Sequence, residues 1–326
     1  MQAAIKRWVR PVALPLLHCW QWVHDYTLGK LREHRVSRDC RKILRDGTVI
    51  LKDVHGMRFI LYPFDRPNLF SLFRRSSDAK EFEAIPRLVQ AGDTAFDVGA
   101  HAGIYSVLLS RLCGPNGRVW AFEPVPETYW RLRETLALNR CDNVIPVRAA
   151  VFEKNGVAKM NLFEPEHSEW NTFGEPSFLT PEGVPIPPRQ SMEVQARSLD
   201  DFCEAAQIKR VNFMKVDVEG FECSVFRGAE RLLKEHRVDY ICFEISKGPL
   251  KSAGIESRAV FETLKAYGYA AYRFDMKTAR FQGPVQDTTE SWTNFFASWK
   301  DLSNLEPPNH ATDQRREETS ASLSLR

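Results

Sequence analysis

The sequence contains no C-x-x-C pair and no His–Cys cluster at zinc spacing, although it carries seven cysteines. The number is odd and the positions (19, 40, 113, 141, 203, 223 and 242) are scattered, which excludes a disulfide framework and a zinc ribbon. They read as free thiols in a reducing, cytoplasmic setting, most of them small buried hydrophobes among apolar neighbours such as "YICFEI". A strong charge of one sign is also lacking. Lys and Arg total 45 against 42 Asp and Glu, a net +3, too mild for a nucleic-acid partner. No run approaches the ~20 apolar residues that span a bilayer. The nearest, "VALPLLHCWQWV" at 12–23, contains Pro15 and His18; basic residues precede it, but no small-residue cleavage site follows, so it is not read as a secretory signal. No internal repeat is present.

What the sequence does have is the composition of a folded protein, 43% hydrophobic and 27% charged, with 21 Phe and 8 Trp among its 326 residues. Residues 1–47 set apolar residues at helical intervals among basic ones: Lys6, Arg7, Arg10, Lys30, Arg32, Arg35, Arg38, Arg41, Lys42 and Arg45. This stretch reads as a basic amphipathic helical extension. Two roles stay open, a helical cap on the main domain or a peripheral contact with an anionic membrane surface. Residues 48–90 switch to a period of two, a hairpin turning near His55-Gly56, and then give a helix that leads into the core. Over 91–302 short apolar runs alternate with helical segments, which calls for an α/β fold with a parallel sheet covered on both faces. A loop from Pro165 to Gln190 interrupts the alternation and is long enough to be a lid. The tail, 303–326, is polar and reads as disordered.

In such a sheet ligands bind beyond the carboxyl ends of the strands, and here those ends are acidic: Asp97, Glu123, Asp217 with Glu219, and Glu244. The first strand runs into "DVGAHAG". Gly99 and Gly103 allow a tight turn and close approach to a ligand. Glu123 follows about twenty residues later, where a carboxylate can accept both hydroxyls of a ribose. A dinucleotide site would show G-x-G-x-x-G, but His101 stands where its second glycine belongs. Asp97 would repel a pyrophosphate and attract an ammonium. A ligand with an amino acid at one end and a nucleoside at the other satisfies both acids, and S-adenosylmethionine is that ligand.

The stretches "EFEAIPRLVQAGDTAFDVGAHAGIYS", "VWAFEPVPETYWRLRETLALN", "SLDDF", "VNFMKVDVEGFECSVFRGAERLL" and "YICFEI" together resemble the FkbM-type methyltransferases, from about Phe82 to Phe295. The resemblance implies a Rossmann-like, seven-stranded, mostly parallel sheet with the last strand antiparallel, and methyl transfer to a hydroxyl of a sugar, glycan or natural product. It implies that Asp97, Gly99, Ala100, His101 and Gly103 hold the methionine part and Glu123 the ribose. His101 departs from the asparagine usual at that position, which leaves its role open between holding the loop and facing the acceptor.

Methyl transfer to an unactivated hydroxyl needs alignment and a base. Asp217, Glu219 and His101 are the candidates, with Asp217 equally readable as an orienter and Glu219 as a helix-start carboxylate. His167, Trp170 and Asn171 in the long loop, beside Thr172, offer an aromatic and polar face for a sugar; Glu244 faces the pocket or accepts a structural hydrogen bond. Two carboxylates, Asp217 and Glu219, are too few to assign a metal. No Asp/Asn-Pro-Pro-aromatic motif is present, which disfavours methylation of nitrogen. The competing readings are an NAD-linked oxidoreductase on a similar sheet and a non-catalytic, membrane-associated protein that keeps the fold.

Overall fold

The alternation between residues 94 and 298 resolves into strands and helices in the computed structural model, which describes residues 41–43, 49–52, 55–62, 80–164, 168, 170–174 and 186–305. The span 1–40, read as helical, and the polar tail from 306 lie outside the described residues. Arg41–Ile43 (β1), at the end of the stretch read as helical, is instead a strand. It pairs antiparallel with Val49–Lys52 (β2), which pairs with Arg58–Leu61 (β3) across the expected turn; a strand partner outweighs the local helical spacing.

Lys80–Ala84 (α1) leads through a short 3-10 turn to Thr94–Val98 (β4), then Ile104–Cys113 (α2), Arg118–Phe122 (β5), Pro126–Asn139 (α3) and Val144–Val147 (β6). The run "NVIPVRAAV", read as one strand, is two. A tight turn in which the Ala149 N–H donates to the Val147 carbonyl (3.0 Å) redirects the chain. Ala150–Val151 (β7) therefore leaves the main sheet and joins Gly156–Leu162 (β8) and Gln190–Arg197 (β9) in a three-stranded sheet.

Leu199–Ala205 (α4) starts at Ser198, whose hydroxyl accepts the Asp201 N–H at 3.2 Å. Val211–Val216 (β10) follows. "FECSVFRGAERLLKEH", expected as one helix, breaks into Glu222–Arg227 (α5) and Glu230–Lys234 (α6). The break falls at Gly228, where a Cβ would lie 2.0 Å from the Phe152 carbonyl oxygen and whose own carbonyl accepts the Asp200 N–H at 2.9 Å. Gly228→Ala is expected to cost roughly 1–3 kcal/mol in urea unfolding through overpacking. Gly156→Ala, where a Cβ would meet nothing within 4 Å, should leave the midpoint nearly unchanged.

Val238–Ser246 (β11), Lys247–Ser252 (α7), Ser257–Ala266 (α8), Ala270–Asp275 (β12), Arg280–Val285 (β13) and Trp292–Ser298 (β14) complete the described chain. The main sheet runs β13-β12-β14-β11-β10-β4-β5-β6. Strands β6, β5, β4, β10 and β11 are parallel, and β14 runs antiparallel between β11 and β12. This is the Rossmann-like arrangement, mostly parallel with its last strand reversed. An eighth strand, β13, is added at the edge, where the Gly283 and Pro284 that mask it in the sequence are tolerated.

Alternation along the strands feeds two cores. Ala95 and Phe213 face one layer with Phe82, Ile85, Val107 and Leu109, while Phe96 and Met214 face the other with Leu199, Phe226, Leu232 and Val260. Each fully buried phenylalanine contributes about 1.5–3 kcal/mol. The thiols of Cys113, Cys141, Cys203, Cys223 and Cys242 are free and buried, as read from the sequence; Cys19 and Cys40 lie outside the described residues. Among those residues no helix is long and apolar enough to cross a membrane.

Candidate active site

Strand order reverses beside β4, the switch point where an open α/β sheet leaves a crevice. A cavity of about 840 Å³ occupies it, lined by residues of the loops after β4, β5 and β10 and by the first residues of β14. That volume suits a drug-sized ligand or larger.

The glycine loop is held from behind. A Cβ at Gly99, whose φ is +82°, would sit 1.8 Å from the Asp217 carbonyl oxygen, so only glycine lets the β4 and β10 loops touch. Four of the loop's amides are spent internally: Gly99 and Ala100 donate to the Phe122 carbonyl (3.1 and 2.9 Å), Gly103 to that of Ala100 (2.8 Å), and His101 to Glu123 Oε2 (3.1 Å). A pyrophosphate lies against such amides when they are free, and these four are not, which disfavours the dinucleotide reading. His101 adopts φ +47°, a left-handed conformation in which Asn, Asp and His are enriched; this accounts for a histidine where the resemblance expects asparagine. Its Nε2 lies 2.9 Å from Ser168 Oγ, and burial, with Arg131 adding to it, lowers its pKa to about 4.

Glu123 is 6% exposed and lines the cavity. Its Oε1 accepts the Val125 N–H (2.9 Å), and burial raises its pKa to about 7 against those backbone donors. Asp97 sits differently. It is 1% exposed, lies beneath the loop rather than among the cavity-lining residues, and accepts Ser106 Oγ of α2 at 2.5 Å. Burial raises it to about 6, against the Ser106 hydrogen bond.

At the other side of the crevice the chain brings together three carboxyl groups, Asp217, Glu219 and Glu244, with oxygens within 4.8 Å of one another. The sequence counted only the first two as neighbours. Glu244 is not the end of its strand, since β11 continues to Ser246 opposite Trp292 of β14. Carboxylates at this spacing can take a divalent cation, but a cation of the chain itself is already present. Lys215, fully buried, places Nζ 3.2 Å from Asp217 Oδ2, 3.0 Å from Asn294 Oδ1 and 5.0 Å from the Tyr105 ring centre. Burial opposes the ammonium, yet Asp217 foremost, then Cys242 and Glu244, outweighs it and holds the Lys215 pKa above its ordinary value. Glu244 is also pushed well up, by burial foremost and then by Asp217, which for a carboxyl favours the neutral form.

The family model described as "Methyltransferase FkbM domain" matches residues 97–271, more than half of the chain. The chain belongs to that family. Its matched span begins at Asp97 and takes in the glycine loop, Glu123, Lys215, Asp217, Glu219 and Glu244; β14 and its Trp292 lie beyond it. The FkbM chain is 29% identical to the hexuronic acid methyltransferase AglP of Haloferax volcanii over 48% of its own length and 57% of that protein's, so it spans little more than half of this relative. It is 25% identical to the 2-O-methyltransferase NoeI of Sinorhizobium fredii over 60% and 81%. Among solved structures, an O-methyltransferase from Bacillus cereus in complex with SAH is a distant likeness: TM-score 0.38, 13% identity, 68% of this chain and 79% of that one.

Of the residues singled out in the sequence, Gly99, Ala100, His101, Glu123, Asn171, Asp217, Glu219 and Glu244 line the cavity of the FkbM domain. Trp170 packs edge-on against Phe163 (centroids 6.1 Å apart) instead, and His167 lies outside the described residues. The start of the long loop is anchored, not free. Thr172 bridges to Asn161, and the Asn171 side chain accepts the Phe163 N–H at 2.9 Å. Missed were Lys215, Tyr105, Trp292 and Lys80. Nothing local marks Tyr105, Trp292 or Lys80, and a strand-interior lysine such as Lys215 reads as solvent-facing by alternation alone.

Proposed function

We propose that this protein is an S-adenosylmethionine-dependent O-methyltransferase acting on a sugar hydroxyl. The observation that carries the reading is one cavity lined both by Glu123 and by the Lys215-paired Asp217, at a glycine loop four of whose amides are already spent internally. The residues fit the group. Glu123 keeps acceptor capacity for ribose hydroxyls, and Phe122, Pro124, Ala149 and Val151 give an apolar wall for a flat base. When bound, S-adenosylmethionine supplies a methyl group activated on a sulfonium. The names of the two relatives, one acting on hexuronic acid and one a 2-O-methyltransferase, support a sugar acceptor.

Asp217 is the base in this reading. It is 28% exposed at its side chain and reaches the cavity, so an acceptor hydroxyl can hydrogen-bond to it and hand over its proton as the new C–O bond forms and the methyl–sulfur bond breaks. His101 is a poor alternative, because burial has lowered its basicity and Ser168 occupies its Nε2. Glu219 sits at φ +50° on the same loop and lines the acceptor side. Isothermal titration with S-adenosylhomocysteine, in parallel with NAD, tests the reading. Binding of the first alone is expected; a folded protein that binds NAD and not S-adenosylhomocysteine overturns it.

A further inference from the structure

Beyond Asp217 the cavity opens into a compartment formed by α1, the β12–β13 turn and the start of β14, lined by Lys80, Glu81, Met276, Glu290, Trp292 and Thr293. None of these was assigned a role from the sequence. Trp292 is 58% exposed and Met276 49%. Five large apolar side chains stand exposed among the described residues, and two of them meet at this mouth. The backbone that carries it is nevertheless fixed. Trp292 is the first residue of β14, opposite Ser246 of β11, and the carboxyl of Glu244, itself 5% exposed, lies on the same cavity wall. The polar groups around it are fixed too: Lys80 Nζ donates to Thr293 Oγ1 at 2.6 Å, and Arg273 pairs with Glu290.

An exposed aromatic side chain on a fixed strand end, with ordered hydrogen-bonding groups beside it, is an amphipathic surface. It complements a ring with one C–H face and hydroxyls around its rim. An organic cation would also stack on an indole, but Lys80 shares the compartment. Counting the Arg273 that pairs with Glu290, two cations stand against Glu81 and Glu290, while burial holds Glu244 toward its neutral form, so the wall carries no excess charge to draw a charged ring. We propose that this compartment is the acceptor subsite and that Trp292 is the platform on which a neutral pyranose stacks, its reacting hydroxyl turned toward Asp217. The proposal rests on the methyltransferase reading above.

Saturation-transfer NMR on the full chain with S-adenosylhomocysteine tests it, using methyl glycosides of glucose, galactose, mannose, fucose and rhamnose, with methyl glucuronide alongside. At least one neutral glycoside is expected to bind, with saturation concentrated on the C–H protons of one ring face. Trp292→Ala should weaken that binding about tenfold. Trp292→Phe, which keeps an aromatic face and loses the N–H, should retain most of it. Both variants should keep the wild-type affinity for S-adenosylhomocysteine within about twofold, which also shows that they fold. The platform is overturned if glycosides bind wild type and Trp292→Ala alike, if none binds while S-adenosylhomocysteine does, or if only the glucuronide binds. Failure of folded wild type to bind S-adenosylhomocysteine overturns the methyltransferase reading itself, and this one with it.

Discussion

Asp217→Asn is expected to lower kcat by about 10²–10⁴-fold, the range over which a positioned general base contributes, while S-adenosylhomocysteine still binds. The amide has nearly the shape of the carboxylate but cannot take the acceptor's proton. Stability should fall as well. Lys215 is fully buried, and its Nζ would keep Asn294, the Tyr105 ring face and a long contact to the Val216 carbonyl (3.5 Å) but lose its counter-charge. Removing one partner of a buried pair costs about 3–5 kcal/mol, and the partial exposure of Asp217 places this pair at or below the bottom of that range. The added substitution Lys215→Met should recover much of that stability and none of the activity, because the stranded charge is gone but the base is not restored. Urea unfolding and steady-state kinetics on the two single variants and the double one read both effects. Equal kcat in wild type and Asp217→Asn would show that the base lies elsewhere.

The second large effect is the pH dependence of cofactor binding. Burial raises Glu123 to about 7 and Asp97 to about 6, whereas an unfolded chain ionises such groups near pH 4. Between roughly pH 4 and 7 the folded protein therefore holds more protons than the unfolded one, and its stability falls as pH rises through that window. Binding runs the other way. In the proposed function ribose hydroxyls donate to the ionised Glu123 carboxylate, so affinity for S-adenosylhomocysteine should climb with pH, by up to about tenfold per unit below 7, and level off above it. Glu123→Gln should weaken binding by about 10–100-fold at pH 8, the worth of hydrogen bonds to a charged group, and flatten the slope. Titration calorimetry from about pH 5.5 to 8 checks both; an unchanged slope in the glutamine variant would place the titrating group elsewhere.

Most of the parallel sheet was legible because each strand and helix carries its own period, and the cavity-lining Gly99, Glu123 and Asp217 were legible because they lie at the ends of forward-running strands. The acceptor side was hidden for a geometric reason. Strand β14 runs backwards, so its first residues rather than its last reach the carboxyl edge, and Trp292, Thr293 and Asn294 meet β11 at Ser246, Ile245 and Glu244. A search of strand ends passes over them. Lys215 was hidden because alternation assigns a strand-interior lysine to solvent, whereas β10 is covered on both faces and the charge is answered by Asp217 and Asn294 instead. The splits at Ala149 and Gly228 were invisible because they arise from the approach of distant backbone, which no local pattern records.

The contact between residue 99 and the Asp217 carbonyl also limits how this family member can diversify. With no room for even a methyl group between the two loops, a change that relaxes the glycine loop shifts the backbone of Asp217, the proposed proton acceptor, at the same time. Retargeting to a new acceptor is then least disruptive through the reversed strand and the β12–β13 hairpin, which form the far wall of the cavity and leave that junction untouched. The molecule thus separates a part that inheritance must preserve from a part that selection can revise.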